Sequence, residues 1–212
     1  MGGAKIDMRE GDYLIAADGG YTEVIAQGLK PDLAVGDFDS LGAVPEHENV
    51  VQHPVMKDDT DMMLAIRLGL QQGCREFLLY GAMDGPRLDH TVANFQALSF
   101  LCRHGACGWL IGRDYIASCL CSGKLSFPPE WTGIFSAFCL GETARGVTIT
   151  GLHYPLEEGE LSPHFPLGVS NHFTGQPAGI RVKEGTVLCM WDRENGICPR
   201  GACAGGKSMV KY

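Results

Sequence analysis

The sequence predicts an α/β fold, with an N-terminal parallel-sheet (Rossmann-like) α/β domain followed by a C-terminal β-sandwich domain. In the first half, short apolar runs alternate with helical stretches, which is typical of a parallel sheet covered by helices. From about residue 114 onward the helical period is lost, and Gly and Pro punctuate strand-like segments. We therefore expect domains at 1–113 and 114–212, with a loose tail from about residue 195.

The first-half elements follow from apolar runs and from helix start and stop residues. The predicted strands are Tyr13–Ala17, Leu33–Val35, Val50–His53, Phe77–Tyr80 and Trp109–Ile111. The predicted helices are Tyr21–Gln27, Thr60–Gln71 and 89–103. Asp59 or Thr60 is the expected N-cap of the second helix, and Gly28 and Gly73 follow helix ends. Because ligands bind beyond the carboxyl ends of parallel strands, polar residues there are site candidates.

The second half is predicted to contain strands only. They are Tyr115–Leu120, Ile134–Leu140, Val147–Leu152, Ile180–Val182 and Thr186–Trp191. Lys183, Glu184 and Gly185 between the last two resemble a hairpin turn. This arrangement favours a sandwich or barrel.

Composition limits the classes of function. The chain has 212 residues, 45% hydrophobic and 20% charged, and a net charge of −8, as in an ordinary soluble globular protein. That charge argues against nucleic acid or an anionic membrane as the main partner. There is no apolar run of membrane-spanning length and no signal-peptide pattern, so the cytoplasm is the expected location. The nine cysteines are irregularly spaced and contain no CxxC pair, which favours reduced thiols over a disulfide framework or a zinc site.

Four aspartates are placed where parallel strands end or a helix begins. Asp18 follows the first strand, Asp37 and Asp39 follow the second, and Asp61 opens a helix. Clustered carboxylates repel one another unless a cation joins them, and Mg²⁺ prefers such oxygen ligands. Gly36 is expected to let the backbone approach a ligand. Aspartate is also common in loops and caps, which is the alternative for any one of them.

A second group of polar residues lies in the segment 85–94. Arg87 and Asp89 stand at the start of a helix, where phosphate binds readily, although a surface charge and a helix cap are equally good explanations. Asn94 faces the site or anchors the loop. Lys57 contacts phosphate or pairs with a neighbouring aspartate. Thr60 and Asn94 are candidate substrate contacts. No P-loop or protein-kinase motif is present, so nucleotide use depends on the aspartates.

Six stretches, in order, resemble the thiamine pyrophosphokinase family. They are Ala-Asp-Gly-Gly (17–20), Lys-Pro-Asp-Leu-Ala-Val-Gly-Asp-Phe-Asp-Ser-Leu (30–41), Lys-Asp-Asp-Thr-Asp (57–61), Arg-Leu-Asp-His-Thr-Val-Ala-Asn (87–94), Gly-Leu-His-Tyr-Pro-Leu (151–156) and Gly-Val-Ser-Asn (168–171). Each motif alone is weak, but six in order are highly specific. The resemblance covers roughly residues 12 to 191.

The resemblance implies a reaction and a set of site residues. It implies transfer of pyrophosphate from ATP to the thiamine hydroxyl by a homodimer, with each site where the α/β domain of one subunit meets the β-sandwich of the other. The residues that match the Mg²⁺-binding positions are Asp18, Asp37, Asp39 and Asp61. Arg87 and Asp89 match the motif beside the phosphates and the thiamine hydroxyl. Ser170 and Asn171 match the segment that holds the thiamine pyrimidine.

The chain departs from the family pattern at its start. Family members usually begin with a further strand and a Gly-rich loop, whereas only residues 1–11 precede Asp12, and they are not strand-like. We therefore expect one strand of the sheet to be missing or replaced. The alternative function is a thiamine-binding protein without catalysis. In the catalytic account, Asp61 or Asp89 orients or deprotonates the hydroxyl, and Arg87 stabilises the transferring group.

Overall fold

The computed structural model describes residues 4–38, 41–52, 60–197 and 207–212, and its contacts divide them into two compact units. The first unit contains the described residues up to 97, together with 110–113 and 207–212. The second contains 98–109 and the described part of 114–202. One change between units falls between 113 and 114, but residues 98–109, which the sequence assigned to the first domain, belong to the second unit. The last described residues, however, belong with the first unit.

The described elements of the first half alternate as the apolar runs predict. The strands are β1 (Tyr13–Ala17), β2 (Leu33–Gly36), β3 (Val50–Gln52), β4 (Cys74–Tyr80) and β5 (Cys107–Ile111). The helices are α1 (Gly20–Ala26), α2 (Asp61–Gln71) and α3 (Leu88–Arg103). Each predicted element is therefore present, with ends that move by up to three residues.

The second half is built mainly from strands, as predicted, with one short 3₁₀ helix at Arg193–Asn195. The strands are β6 (Tyr115–Phe127), β7 (Ile134–Cys139), β8 (Ala144–Thr150), β9 (Leu156–Leu161), β10 (Gly168–His172) and β11 (Ala178–Asp192). A last strand, β12 (Lys207–Lys211), lies near the end of the chain and belongs to the first unit. Strands β9, β10 and β12 were not predicted. The predicted fold class is confirmed, since an α/β part is followed by a strand-rich domain.

The sheet of the first unit is parallel and contains β12 near its centre. The order is β4, β12, β1, β2, β3, with every neighbouring pair parallel, and β5 follows on the other side of β4. Lys211 is in register with Ile15 on one side and with Leu79 on the other. The carboxyl ends of β1, β4 and β12 therefore meet at one edge of the sheet.

The interior position of β12 corrects the prediction of a loose tail for residues 207–212. Met209 and Val210 have no exposed surface. Gly69 of α2 faces Met209 so closely that a Cβ there would overlap with its sulfur. The local sequence of β12, with two apolar residues between polar ones, does not predict a strand. Packing against the rest of the first unit thus stabilises this five-residue strand. Strand β12 lies between β1 and β4, so the sheet of the first unit is continuous there. The expectation that a strand of the family pattern is missing or replaced stays a prediction.

The second unit is antiparallel and is organised around the long strands β6 and β11. One edge of β11 pairs with β6. On its other edge, the first part of β11 pairs with β8 and the last part pairs with β7. Strand β9 then pairs with β8, and β10 pairs with β7. An aromatic core lies beneath, in which the ring centroid of Phe127 is 5.1–5.7 Å from its four neighbours. Those neighbours are Trp131, Phe135, Phe173 and Trp191.

The predicted hairpin turn at Lys183–Gly185 is wrong. Strand β11 continues through these residues and remains paired with β6, with a register shift between Val182 and Thr186. Gly185 takes a φ of +93° there, a backbone conformation that glycine adopts at low cost. A turn-like sequence therefore encodes a β-bulge, which bends a continuous strand.

No helix in the described part of the chain combines the length and the apolarity that a bilayer crossing requires.

Candidate functional site

A cavity of about 1030 Å³ opens at the carboxyl edge of the parallel sheet. Three strand ends contribute to its wall: Asp18 after β1, Gly81 after β4, and Lys211 in β12. Asp61 enters from the start of α2, and Arg87 from the residue before α3. The edge that the sequence predicted as the ligand-binding edge is therefore concave and carries charges of both signs.

Asp18 is fixed by its backbone. Its φ is +46°, in the left-handed region, and its N–H donates to the Val35 carbonyl at 2.8 Å. Gly36 lies against it, since a Cβ on Gly36 would be 3.2 Å from the Asp18 Cα. Gly36 was predicted to permit the approach of a ligand, but the contact that it permits in this structure is with Asp18. Its predicted contact with nucleotide stays a prediction.

Asp61 is the first residue of α2, and Thr60 is the N-cap. The Thr60 hydroxyl accepts a hydrogen bond from the Met63 N–H at 3.2 Å, which confirms the capping prediction for Thr60. Both residues line the cavity. The cap fixes the first turn of α2, and this turn carries the Asp61 carboxylate at the cavity wall.

The predicted metal ligands are only partly brought together. Asp18 and Asp61 line the same cavity, whereas Asp37 follows β2 and is not part of its lining. Asp39 lies outside the described residues. Among the residues described, no group of three or more His, Cys, Asp or Glu side chains is close enough to hold a metal ion. Two carboxylates in one wall still match the usual protein share of a Mg²⁺ site in nucleotide enzymes.

Arg87 and Asp89 form an exposed ion pair with two hydrogen bonds. The Nη2 and Nε atoms of Arg87 donate to the two carboxylate oxygens of Asp89, at 2.6 and 3.3 Å. The bond from Arg87 holds the pKa of Asp89 below its ordinary value, against the effect of desolvation. The pair therefore presents the guanidinium at the N-terminus of α3, on the cavity wall.

Lys211 is a half-buried cation that sequence reasoning missed. Burial lowers the pKa of its ammonium to about 8, and the charges of Asp61 and Asp18 oppose that shift. Next to it, Tyr212 is buried and stacks on Tyr80, with ring centroids 6.2 Å apart. The sequence held no usable signal for either residue, because their position depends on pairing with strands far away along the chain.

Asn94 lines the cavity and also anchors the loop before α3. Its side chain is buried, and Nδ2 donates to the Ala82 carbonyl at 2.7 Å. The anchoring alternative from the sequence is therefore shown by this hydrogen bond, and contact of Asn94 with substrate stays a prediction. His90 is exposed on the same wall. Lys57, the predicted phosphate contact, lies outside the described residues.

Ser170 and Asn171 lie in β10 of the second unit. Asn171 is buried, and its side chain accepts from the Tyr154 N–H at 2.9 Å and donates to the Tyr154 carbonyl at 2.7 Å. It thus fixes the segment that lines a small apolar recess with Leu156, Leu167 and Val169. Ser170 is exposed with a φ of +58°. Direct contact of either residue with substrate stays a prediction.

Solved structures share this fold over most of the chain. A thiamine pyrophosphokinase from Bacillus subtilis has a TM-score of 0.78 at 24% identity, covering 87% of this chain and 89% of its own. One from Geobacillus thermodenitrificans has a TM-score of 0.73 at 24% identity, with coverage of 92% and 90%. One from Candida albicans has a TM-score of 0.68 at 14% identity, with coverage of 85% and 89%. A search of curated proteins found no significant match.

Two family models match the two parts of the sequence. The model described as the catalytic domain of thiamin pyrophosphokinase matches residues 7–106. The model described as its vitamin B1 binding domain matches residues 125–187. Together they cover most of the chain, with the catalytic domain before the vitamin B1 binding domain. The chain therefore belongs to the thiamin pyrophosphokinase family, and its activity is that of a thiamine diphosphokinase.

Proposed function

We propose that this chain transfers the pyrophosphoryl group of ATP to the thiamine hydroxyl, which yields thiamine diphosphate and AMP. The observation that carries the proposal is the cavity in which Asp18, Asp61 and Arg87 share one wall. Its volume of about 1030 Å³ suits a nucleotide. Phosphoryl-type transfer depends mainly on positioning and charge neutralisation, and carboxylates for a metal ion beside a guanidinium supply both.

Mg²⁺ is the cation that we propose for this cavity, held by Asp18 and Asp61. These carboxylates fit because Mg²⁺ in nucleotide sites is usually held by one or two carboxylates together with phosphate oxygens and water. When bound, it would neutralise charge on the phosphate oxygens. Asp37, which does not line the cavity, and Asp39, which lies outside the described residues, remain predicted ligands.

Arg87 is our candidate for stabilising the transferring group. Asp89 holds the guanidinium in place, and both of its carboxylate oxygens are used in accepting hydrogen bonds from Arg87. We therefore assign Asp89 to positioning Arg87, and we prefer Asp61 as the carboxylate that orients the thiamine hydroxyl. This assignment separates two residues that the sequence left as equal candidates.

The other predicted contacts support the cavity in different ways. Gly36 packs against Asp18, Thr60 caps α2, and Asn94 anchors the loop that precedes α3. Each of these contacts holds a neighbour of the proposed phosphate site in place. Lys57 remains a predicted phosphate contact.

A homodimer is the second part of the proposal. Four large apolar side chains of the second unit are 47–66% exposed, and such a group is normally covered by a partner. They are Tyr154, Phe165, Leu167 and Val169. Light scattering during size-exclusion chromatography should give a dimer mass, and Leu167→Asp should shift it toward the monomer. A monomeric wild type at high concentration would contradict this part.

Thiamine diphosphate formation tests the enzymatic proposal against the binding-only alternative. The purified protein is incubated with ATP, Mg²⁺ and thiamine, the product is quantified by chromatography, and thiamine affinity is measured separately by calorimetry. We expect both product and binding. Binding without product would favour the thiamine-binding protein instead. A cytoplasmic location, and the exclusion of nucleic acid and membrane partners, remain predictions based on the charge and the sequence pattern.

A further inference from the structure

Strand β12 brings a residue into the cavity that no family motif covers. The family models end at residue 187, whereas Lys211 is the last residue of β12. The backbone before it is held because Val210 pairs with Leu14 and Leu78. The backbone after it is held because the Tyr212 N–H donates to the Ile15 carbonyl at 3.1 Å and the Tyr212 carbonyl accepts from the Ala17 N–H at 2.8 Å. The strand end is therefore held at the cavity edge and does not move independently of the sheet.

The side chain of Lys211 belongs to the cavity wall. It lines the same space as Asp18, Asp61 and Arg87, and it is half-buried. A lysine rarely becomes buried without a compensating anion, because removing the ammonium from water costs free energy. The carboxylates of Asp61 and Asp18 act on it electrostatically. A polyphosphate in this cavity would add the oxygen acceptors that an ammonium binds best.

We propose that Lys211 is a further substrate-binding residue, whose ammonium contacts the β- and γ-phosphates of the nucleoside triphosphate beside the carboxylates of Asp18 and Asp61. The inference rests on the proposed function, since it assumes that the triphosphate occupies this cavity. It gives β12 a function beyond completing the sheet. The competing explanation is that Lys211 only neutralises the two carboxylates.

Calorimetric titration with ATP and Mg²⁺ in the absence of thiamine tests this contact without relying on turnover. Lys211→Met should bind ATP roughly ten- to a hundredfold more weakly than the wild type, as expected for the loss of a charge-assisted contact. Binding of AMP, which lacks the β- and γ-phosphates, should change little. Lys211→Arg, which keeps the charge, should recover most of the affinity. Lys30→Met, at an exposed lysine of the first unit that does not line the cavity, should behave as the wild type.

The outcomes separate this inference from the proposed function. If the wild type makes thiamine diphosphate while Lys211→Met retains full ATP affinity, the inference is wrong and the function stands. An equal loss of ATP and AMP affinity would also overturn it, because the effect would then lie in the fold. If Lys211→Met does not fold, Lys211→Arg serves as the second variant. If folded Lys211→Arg binds ATP no more tightly than AMP, the inference is overturned. If the wild type binds no ATP, both proposals fail.

Discussion

Arg87 is the residue whose predicted role can be tested most selectively. Asp89 holds the Arg87 guanidinium on the cavity wall. Removal of this guanidinium should therefore lower the rate of pyrophosphoryl transfer more than it weakens the binding of thiamine. We expect Arg87→Ala to lower kcat by roughly a hundredfold, the usual effect of losing one donor to transition-state charge, with little change in thiamine affinity. Steady-state kinetics and thiamine titration measure the two quantities.

A matched control for Arg87 exists in the second unit. Arg145 also forms an exposed ion pair, with its Nε atom 3.2 Å from Glu160, and it is not part of the cavity. Arg145→Ala should leave kcat unchanged. Loss of thiamine affinity with intact turnover in Arg87→Ala would move Arg87 from the phosphate site to the thiamine site.

We expect substitution of Asn171 to lower the stability of the fold. Its buried amide makes two hydrogen bonds with the Tyr154 backbone, and Asn171→Ala would remove both of them. We expect a loss of about 2 kcal/mol in the free energy of unfolding, measured by denaturant titration. Ser170→Ala, at the exposed neighbour, should change it by less than about 0.5 kcal/mol. Equal stabilities would show that the Tyr154 contact is not important for the fold.

Residue types were more predictable than residue roles. Asp18, Asp61 and Arg87 were found from the sequence because chemistry and strand ends coincide there. The contact of Gly36 with Asp18 and the two hydrogen bonds of Asn171 were not, since they join residues that only the tertiary structure brings together. A motif marks a constrained position, but it does not say whether a ligand or a neighbouring backbone imposes the constraint.

At the scale of elements, the closeness of α1 to β12 gives a sharp prediction. A Cβ on Gly20, at the start of α1, would overlap with the backbone carbonyl of Tyr212. We therefore expect Gly20→Ala to force the two elements apart and to lower the melting temperature. Gly85→Ala is the control, because no atom lies within 4 Å of its Cβ position and its substitution should be tolerated. Equal melting temperatures would contradict the close packing of β12.

Local patterns predicted the elements of the first half well and those of the second half less well. Buried parallel strands are short apolar runs, and α2 has a clear N-cap in Thr60, so these elements are readable. Strand β9, Leu-Glu-Glu-Gly-Glu-Leu, is mostly exposed, and β12 has only two apolar residues at its centre. The bulge in β11 resembled a turn because glycine serves both purposes.

The whole molecule shows why domain boundaries could not be fully predicted. The sequence places residues 207–212 far from the first domain, but pairing with β1 and β4 returns them to it. The burial of Met209 and Val210 depends on contacts between parts of the chain that are distant in sequence, and a local sequence pattern does not contain them. The change at residue 113, by contrast, coincides with a change of local pattern from alternating helices to strands.

The central claim is that a pyrophosphoryl group moves as a unit from ATP to thiamine in the cavity of the first unit. The most direct measurement is the amount of every nucleotide and thiamine product in one reaction, resolved by anion-exchange chromatography, with and without thiamine. The account predicts AMP and thiamine diphosphate in equal amounts, both absent when thiamine is omitted. ADP formed together with thiamine monophosphate, or AMP formed without thiamine, would contradict it.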